Sequence, residues 1–570
     1  MKTYCESIFK TVRRSTREVM VGSVGIGGQN PIRIQSMTTT NTRHVDATID
    51  QIMRLADAGC HIVRMTVQGK QEALSCEAIK NGLLQRGYSI PLVADIHFYP
   101  PAAMVVIDFV DKVRINPGNF VDPRADFKQI EFDDAAYQAG FDRIEEKFSP
   151  LVEKCKRLKK SLRIGTNLGS LSDRIMNRFG DTPRGMVESA IEYARVCRKF
   201  DLHDLIFSMK ASNPVIMIEA YRMLAAEMVR LKWDYPLHLG VTEAGEGEDG
   251  RIKSAMGIGA LLMDGLGDTI RISLTEDPVH EIEPCRQLID FIEKQTGRGI
   301  EPFDERHRDR KRDSYYLHRG GAVVAKVPIE DLKVLSNLSQ QPDAVWLEKH
   351  DSVEKNICVI DSSKTYFSSG SLLPEMVAPQ LIVFHPAHSP VHETRRFIDD
   401  LKDRKIDTPV ILCLSYGCSA QEQLIHAAVE AGAVLCDRLV EGICILSDQS
   451  IVDNSKLCFN ILQSAGLRFV KTEFISCPGC GRTLFDLQSV AHRVREATGH
   501  LPGIKIAIMG CIVNGPGEMA DADFGLVGSK PGKLNLYLGK TCVKQDINIA
   551  DGPGELVSLI VQQGKWMDPA

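Results

Sequence analysis

The chain has 570 residues, of which 44% are hydrophobic and 25% are charged. This balance is typical of a folded globular protein and excludes a collagen, a disordered chain and a small disulfide scaffold. Its 69 Lys and Arg against 74 Asp and Glu leave a net charge of -5, which argues against general nucleic-acid binding or a basic membrane-binding surface.

The sequence shows no export or membrane signal. No apolar run approaches the ~18 residues that a membrane span needs. The N-terminal stretch lacks an apolar signal core, and Glu6 and Glu18 interrupt its basic residues. The 16 cysteines are scattered, mostly in apolar stretches. We therefore expect a cytoplasmic protein in which most cysteines are reduced and buried.

Residues 31–296 alternate short β-rich apolar runs with amphipathic helical windows. Eight strand–helix units over about 250 residues predict an N-terminal (β/α)8 TIM barrel, and an open doubly wound sheet is the alternative. The helical windows are clearest at 46–58, 70–86, 183–199, 214–231 and 279–295. The predicted strands are 32–37, 61–66, 91–95, 111–115, 162–166, 204–209, 237–241 and 269–274.

Charged and polar side chains recur at the carboxyl ends of these strands, where (β/α)8 enzymes place their active sites. Five of them are cations in a protein of negative net charge, and guanidinium groups bind phosphate oxygens in pairs. The pattern predicts a site for a doubly phosphorylated anion, with two carboxylates and a histidine as acid–base or hydroxyl-orienting groups. These residues are Arg64, Asp95, His97, Arg114, Arg163, Asn167, Lys210, Glu243, Arg271 and Ser273.

One segment imitates a dinucleotide-binding loop. Residues 245–250 (GEGEDG) satisfy the G-x-G-x-x-G pattern, but they follow the seventh predicted strand rather than the first. Glu246, Glu248 and Asp249 would also place negative charge where a pyrophosphate must bind. We therefore interpret the segment as a turn that leads into a barrel loop.

A second α/β region follows the barrel. Residues 301–314 are almost all charged and predict a linker or solvated loop. Residues 320–465 then return to βα alternation, and no polar cluster marks the ends of their strands. We expect a scaffolding role for this region. Its predicted strands are AVVAKVPI, DAVWLE, NICVID, QLIVFHP, PVILCLS and AVLCDRL.

Residues 468–570 predict a small α/β domain whose chemistry lies in its loops. A strand (RFVKTEFIS) leads to CPGCG, and a helix at 483–497 is followed by a strand (IKIAIMG) and the loop CIVNGPGE. The glycine and proline residues of both loops predict tightly bent backbone that can surround a compact group.

Three cysteines lie in these two loops. A thioredoxin-like redox pair at Cys477 and Cys480 would leave Cys511 unexplained. A structural zinc would need a fourth ligand, such as Cys542. An iron–sulfur cluster held by three thiolates would leave one iron with an unusual ligand, for which Glu518 is well placed in the second loop.

Long motifs run through about 31–296 and 468–530: RMTV, ADIHF, KVRINPGN, LRIGTNLGSL, SMKASNP, LGVTEAG, RISLTEDP, CPGCGR and GCIVNGPGE. They resemble the 4-hydroxy-3-methylbut-2-enyl diphosphate synthase family of the methylerythritol phosphate route to isoprenoids. The block at about 297–467 resembles the three-domain subgroup of that family. A segment at about 119–148 is unusual within it.

The resemblance implies that 2-C-methyl-D-erythritol 2,4-cyclodiphosphate is the substrate and that a [4Fe-4S] cluster is the cofactor. It implies Cys477, Cys480, Cys511 and an exchangeable Glu518 as cluster ligands. Asp95, His97 and Glu243 match polar groups near the reacting carbons. The implied substrate contacts are Arg64, Arg114, Arg163, Asn167, Lys210, Ser273 and Asn514, with Arg271 on the same rim.

The resemblance also implies domains and partners. A TIM barrel is expected at 1–296, an inserted TIM-like α/β domain at 297–467 and an iron–sulfur domain at 468–570. Reduced ferredoxin or flavodoxin is the expected electron donor, and no nucleic acid or membrane is expected as a partner. Two-domain relatives complete their site across a homodimer, so the sequence leaves open whether this site forms within one chain.

Two other functions remain open at this stage. The first is a phosphometabolite-binding barrel protein with a structural zinc and no catalytic activity. The second is a lyase or aldolase that uses Lys210 as a Schiff base.

Overall fold

The predicted strands of the first region form a parallel barrel preceded by a short hairpin. The computed structural model describes residues 4–122, 132–300, 318–328, 332–336, 338, 340–347, 357–361, 381–513, 515–519 and 521–569. The hairpin consists of β1 (Val19–Val21) and β2 (Val24–Ile26). The barrel strands are β3 (Arg33–Met37), β4 (Ile62–Val67), β5 (Leu92–Ile96), β6 (Lys112–Ile115), β7 (Ser161–Asn167), β8 (Leu205–Lys210), β9 (His238–Leu239) and β10 (Thr269–Ile270).

The barrel is nearly closed. Its strands pair in parallel in the order β8-β7-β6-β5-β4-β3-β10-β9, and a bridge between Phe207 and Leu237 joins the two ends of the sheet. The TIM-barrel prediction is therefore confirmed. The hairpin covers the amino-terminal end, so the carboxyl ends of the strands form the open mouth. The side chains in contact there are Val19, Val21, Ile26, Ile62, Val93 and Ile206.

Helices surround the barrel and begin at residues suited to capping. Thr182 and Asn213 accept hydrogen bonds from the backbone N–H groups of the first turns that follow them, and Pro183 and Pro214 occupy the first helical positions. The helices are α1 (Val45–Asp57), α2 (Lys70–Gln85), α3 (Pro100–Val106), α4 (Pro117–Phe120), α5 (Asp134–Leu158), α6 (Asp173–Phe179), α7 (Pro183–Lys199), α8 (Pro214–Leu231), α9 (Gly247–Met263) and α10 (Ile282–Gln295), with a 3-10 turn at Pro278–Glu281.

Part of the unusual segment at 119–148 belongs to an ordinary barrel helix. Asp133 caps α5, which connects β6 to β7 and buries Ile144, Phe148 and Val152. These residues contribute to the barrel's apolar core. Residues 123–131 lie outside the described residues.

A second parallel sheet forms the middle of the chain. Its order, β12-β11-β16-β15-β14-β13, is that of a small barrel opened between β12 and β13. The strands are β11 (Ala322–Val327), β12 (Ala344–Leu347), β13 (Ile357–Asp361), β14 (Leu381–His385), β15 (Val410–Tyr416) and β16 (Gly442–Ser447). The helices are α11 (Leu332–Ser336), α12 (Pro390–Asp403), α13 (Ala420–Cys436) and α14 (Ile451–Ser464).

One predicted strand of this region is wrong. The run AVLCDRL (433–439) contains the end of α13, and the sixth strand is Gly442–Ser447 instead. Helix α13 is buried on nearly all sides, so its apolar residues form a continuous run that hides the helical period. The predicted linker at 301–314 lies outside the described residues.

The middle region packs directly on the barrel. Gly259 of α9 lies against Val429, and Gly432 of α13 lies against Met256, so the two helices approach closely. Arg395 on α12 forms a fully buried ion pair with Asp264 at 2.8 Å. One continuous apolar core runs through the barrel and the middle region.

The last region is a five-stranded mixed sheet with its own apolar cores. Its strand order is β17-β18-β19-β20-β21, parallel from β17 to β19 and antiparallel beyond. The strands are β17 (Glu473–Ser476), β18 (Lys505–Met509), β19 (Phe524–Lys530), β20 (Lys533–Leu538) and β21 (Thr541–Asn548). The helices are α15 (Leu487–Thr498), α16 (Gly515–Glu518) and α17 (Gly552–Gln562).

None of the helices in the described ranges combines the length and the apolar character needed to cross a membrane.

Candidate active site

A cavity lies between the mouth of the barrel and the loops of the last region. Both regions belong to the same chain, so the cavity is completed without a second copy. The barrel contributes Met37, Arg64, Asp95, His97, Arg114, Asn167, Lys210, Thr242, Glu243, Arg271 and Ser273. The last region contributes Cys477, Pro478, Gly479, Cys480, Arg482, Met509, Gly510, Cys511, Val513 and Gly515.

Four buried cations, Arg64, Arg114, Lys210 and Arg271, line the barrel side and are called the cation bowl here. They come from four different strands: Arg64 and Arg114 lie within β4 and β6, Lys210 ends β8, and Arg271 follows β10. Burial, followed by the charges of Arg64 and Arg163, holds the pKa of Lys210 well below its usual value. A bound anion would relieve this concentration of positive charge.

The members of the cation bowl are not equivalent. Both ends of the Arg271 guanidinium are held by Glu281 at 2.8 and 2.9 Å, so its charge is compensated within the protein. Among the described residues, Arg64 donates only to the sulfur of Met37. Burial lowers the pKa of Arg64 to about 10. Arg64 is therefore better suited than Arg271 to bind an anion.

Arg163 does not line the cavity, although the sequence predicted it there. It is 1% exposed and lies on β7 below the bowl, where its Nη1 donates to Ser208 at 3.4 Å. Side chains alternate between the two faces of a strand, so Arg163, Gly165 and Asn167 of β7 lie on the same face. Arg163 is the farthest of the three from the mouth. Its charge reaches the bowl from below.

Asp95 is the centre of a network of cations. Arg114 donates to its Oδ1 at 2.9 Å, and Arg482 of the CPGCGR motif donates to its Oδ2 at 3.2 Å. Burial opposes ionisation of this carboxyl group, but Arg114 and Arg64 outweigh it and hold the pKa of Asp95 well below its usual value. Asp95 is therefore a fixed anion that orients guanidinium groups.

His97 is neutral in this network. Burial lowers its pKa to about 3, and Arg114 adds to the effect. Its Nε2 contacts Nη1 of Arg114, which can only donate, so Nε2 accepts this hydrogen bond. This arrangement fits an orienting role better than proton exchange through Nε2.

Glu243 is the carboxylate of the cavity that keeps an unpaired oxygen. It is buried, and its Oε2 accepts no hydrogen bond from the described residues. Its backbone has a φ of 49°, which is uncommon for a residue other than glycine and turns the chain just beyond β9. A substrate hydroxyl or a proton could therefore bind at Oε2.

The three cysteines come from two adjacent strand ends. β17 and β18 pair in parallel, with Ser476 opposite Ile508, so Cys477 and Cys511 follow neighbouring strands. The Gly510 N–H donates to Sγ of Cys477 at 3.3 Å, and Cys480 lines the same wall. Burial raises the pKa of the Cys477 thiol, whereas the attacking thiol of a CxxC redox pair has a lowered pKa.

The side chains around the cavity that could bind a metal are candidates for either a single ion or a cluster. No three His, Cys, Asp or Glu side chains in the described ranges converge as the ligands of one metal ion do. Cys542 lies on β21 and does not line the cavity, so it is no fourth zinc ligand here. Three thiols on one wall fit the separated corners of an iron–sulfur cluster better.

Two residues that the sequence predicted for the site are described by the structure only in part or not at all. Asn514 is not among the described residues. Glu518 ends α16, the helical turn that begins at Gly515, but its side chain is not described. Their roles stay predictions.

Two barrel loops meet the last region at glycines. A Cβ added to Gly517 would lie 1.9 Å from the carbonyl oxygen of Gly169, so these two backbones touch with no room for a side chain. A Cβ on Gly481 would lie 2.4 Å from Oγ1 of Thr66. The motifs NLGSL and GPGE therefore need glycine for the two regions to close together.

The acidic turn at 245–250 also contacts the last region. Glu246 pairs with Arg495 at 2.9 Å, and Asp249 pairs with Lys471 at 2.8 Å. Thr275 donates to the carbonyl of Cys477 at 3.0 Å beside them. The carboxylates that argue against a dinucleotide thus hold the last region on the barrel mouth.

The sequence missed several cavity residues. Arg482 was visible within the motif CPGCGR, but only the closed arrangement brings it to Asp95. Met37 and Thr242 carry no charge and so gave no signal at their strand ends.

Comparisons with known proteins agree with this arrangement. Residues 16–286 match the GcpE TIM-barrel domain, and residues 473–561 match the GcpE protein C-terminal domain. A protein of Protochlamydia amoebophila (strain UWE25) named 4-hydroxy-3-methylbut-2-en-1-yl diphosphate synthase (flavodoxin) is 52% identical, and the match covers 100% of this chain and 99% of that protein.

A plant relative also matches almost the whole chain. The Arabidopsis thaliana protein named 4-hydroxy-3-methylbut-2-en-1-yl diphosphate synthase (ferredoxin), chloroplastic, is 45% identical over 99% of this chain and 89% of its own length. Because both matches run through the middle region, that region is shared with these relatives. The resemblance predicted from the motifs is confirmed, and the chain belongs to the 4-hydroxy-3-methylbut-2-en-1-yl diphosphate synthase family.

Proposed function

We propose that this chain is an oxidoreductase that converts 2-C-methyl-D-erythritol 2,4-cyclodiphosphate to (E)-4-hydroxy-3-methylbut-2-enyl diphosphate in isoprenoid biosynthesis. The reaction opens the cyclic diphosphate, consumes two electrons and one proton, and releases water. One observation carries the proposal: a single cavity joins the cation bowl to three cysteines. The names of the relatives support the same reaction.

The cofactor that fits the cysteines is a [4Fe-4S] cluster held by Cys477, Cys480 and Cys511, with Glu518 as the fourth, exchangeable ligand. Such a cluster would supply the two electrons one at a time. The electrons would come from reduced flavodoxin or ferredoxin, the donors named in the relatives.

The cation bowl binds the diphosphate. Arg64 and Lys210 carry charge that the protein leaves poorly compensated, and Arg114 presents its guanidinium beside Asn167 at 3.1 Å. Ser273 offers a hydroxyl on the same wall. Guanidinium and ammonium groups in a water-poor cavity bind phosphate oxygens strongly and would hold the released diphosphate arm as the ring opens.

Glu243 holds the proton that leaves with the substrate hydroxyl. Its Oε2 accepts no hydrogen bond from the described residues, whereas both oxygens of Asp95 are already bound by Arg114 and Arg482. Asp95 and His97 act instead by fixing Arg114 and Arg482. The close contact of Gly169 with Gly517 keeps water from the reacting carbons.

An anaerobic assay tests the proposal. The purified protein should be brown, contain about four irons per chain, and convert the cyclodiphosphate when reduced flavodoxin is supplied. Cys511→Ser should lose the visible absorbance and the turnover. Cys542→Ser should keep both, because this thiol lies in the same region but outside the cavity.

One result of these experiments would contradict the proposal. A colourless protein with one zinc per chain that binds the cyclodiphosphate without converting it would replace this proposal with the zinc-containing binding protein.

A further inference from the structure

A polar layer lies inside the barrel below the cation bowl. It consists of Gln35, Lys112, Ser161 and His238, all of them fully buried. Gln35, Lys112 and Ser161 precede the cavity residues Met37, Arg114 and Asn167 on their strands by an even number of positions, so they face the same interior. Branched apolar side chains usually fill this level of a (β/α)8 barrel.

The polar layer is rich in atoms without a partner. The Nζ of Lys112, both amide atoms of Gln35, Oγ of Ser161 and Nε2 of His238 make no hydrogen bond to any described residue. Lys112 is paired with Ser161 in the sheet, one step below the pair Arg114 and Arg163. Donors and acceptors left together in a dry interior are costly, and ordered water commonly satisfies such groups.

Positive charge faces Lys112 from the neighbouring strands. Burial, then Arg163 on β7 and Arg64 on β4, hold its pKa well below the usual value. His238 on β9 is also kept neutral, by burial and then by Arg163 and Lys210. No described residue accepts a hydrogen bond from the Lys112 amine, and Asp95 on β5 is already paired with Arg114. An empty bowl therefore favours an uncharged Lys112 amine.

We infer that the polar layer holds ordered water, and that Lys112 takes up a proton from it when a diphosphate binds in the cation bowl. The amine becomes an ammonium group, the proton comes from solvent through the layer, and no bond of the ligand changes. Lys112 is then a positioning residue. The positive charge that it gains acts through Arg163 and helps the cation bowl to balance the negative charge of the ligand. This inference rests on the proposed function, because it takes the bowl to be the diphosphate site.

The coupling has a definite sign. A ligand that raises the pKa of Lys112 binds most tightly at low pH, and its affinity falls as the pH rises through the pKa of the bound state. Without the amine the part of this dependence that belongs to Lys112 disappears, and the part that belongs to Lys210 remains.

Calorimetry on the oxidised holoenzyme tests the inference. The cyclodiphosphate is titrated without a reductant, in Tris and in HEPES at the same pH, so that the difference in heat counts the protons taken up. Its phosphates have no second ionisation near neutral pH, unlike a phosphate monoester. The wild-type protein should take up a large part of one proton more than Lys112→Met, which should also bind about tenfold more weakly. Any uptake that remains in the variant belongs to Lys210 of the bowl, whose pKa is lowered in the same way.

Matched variants and a second probe keep the outcomes separate. Lys80→Met should behave as the wild type, because Lys80 pairs with Asp111 on the outside of the barrel at 3.0 Å. Lys112→Gln replaces the Met variant if that variant does not fold. Wild-type binding without proton uptake, or equal uptake by the Lys112 variants, would overturn the inference. If the cyclodiphosphate does not bind, the proposed function fails, and the same titration with inorganic sulfate, a dianion that does not titrate near neutral pH, then decides the inference.

Discussion

Two carboxylates that line the cavity, Asp95 and Glu243, differ in how they are paired. Asp95 is held by Arg114 and Arg482 and stays ionised, so it orients cations. Glu243 keeps Oε2 unpaired in the same cavity. Because a proton must accompany the hydroxyl that leaves as water, the unpaired carboxylate is the one suited to hold it.

Glu243→Gln should therefore lose turnover by at least about 100-fold while substrate binds within a few-fold of the wild type. The amide keeps the shape of the side chain but cannot transfer the proton. Anaerobic steady-state kinetics and a binding titration measure the two effects separately. Glu276→Gln is the matched control, because Glu276 pairs with Arg251 outside the cavity. Near-normal turnover in Glu243→Gln would remove this residue from proton transfer.

Three short loops pack backbone against backbone where the two halves of the cavity meet. A Cβ on Gly118 would lie 1.8 Å from the carbonyl oxygen of Ser170, and Gly169 beside it touches Gly517. The motifs NPGN, NLGSL and GPGE thus form one stack from the barrel to α16. Their glycines are required by close approach rather than by turn geometry alone.

Gly517→Ala should prevent this contact and hold the cavity open. We expect turnover to fall at least about tenfold, because water enters and the cysteines move away from the bowl. The absorbance of the metal-loaded protein and its unfolding temperature should change little. Gly554→Ala is the control, since a Cβ there meets nothing within 4 Å. Unchanged turnover in Gly517→Ala would show that turnover does not depend on the contact between Gly169 and Gly517.

The whole molecule consists of a rigid body and a smaller body on its mouth. The barrel and the middle region share one apolar core, whereas the last region has cores of its own. Ion pairs and hydrogen bonds join it to the barrel, among them Lys253 with Glu473 at 2.8 Å. We therefore expect the middle region to stiffen the barrel and the last region to be the part that opens for substrate.

Arg395→Met should weaken the rigid body specifically. It removes a fully buried partner of Asp264, so we expect the free energy of unfolding to fall by about 2–4 kcal/mol. Denaturant unfolding followed by fluorescence measures the change, and turnover at 25 °C should stay near the wild-type value. Arg286→Met, which loses an exposed pair with Glu283 and an exposed hydrogen bond to the Ala58 carbonyl, should change stability by less than about 1 kcal/mol. Equal effects of both variants would contradict a rigid junction.

The amino-acid sequence by itself determined the elements and most of the bowl. All eight barrel strands overlap the short apolar runs that predicted them, because strands buried on both faces have nearly continuous apolar sequences. Strand-end positions also placed Arg64, Arg114 and Lys210 together, since parallel strands end at one rim. The run at 433–439 failed because a helix buried on all sides has no polar face to show its period.

Only the tertiary structure decided which side chains finally meet. Asp95 and Arg482 are 387 residues apart in sequence, and nothing local pairs them until the last region closes on the barrel. The same holds for two residues inside the barrel. Arg163 lies too deep along β7 to line the cavity, and the unpaired amine of Lys112 lies below it. Local hydrophobic pattern sets each element's inner face, but contact between distant side chains depends on how far each lies along its strand and on how the separate cores dock.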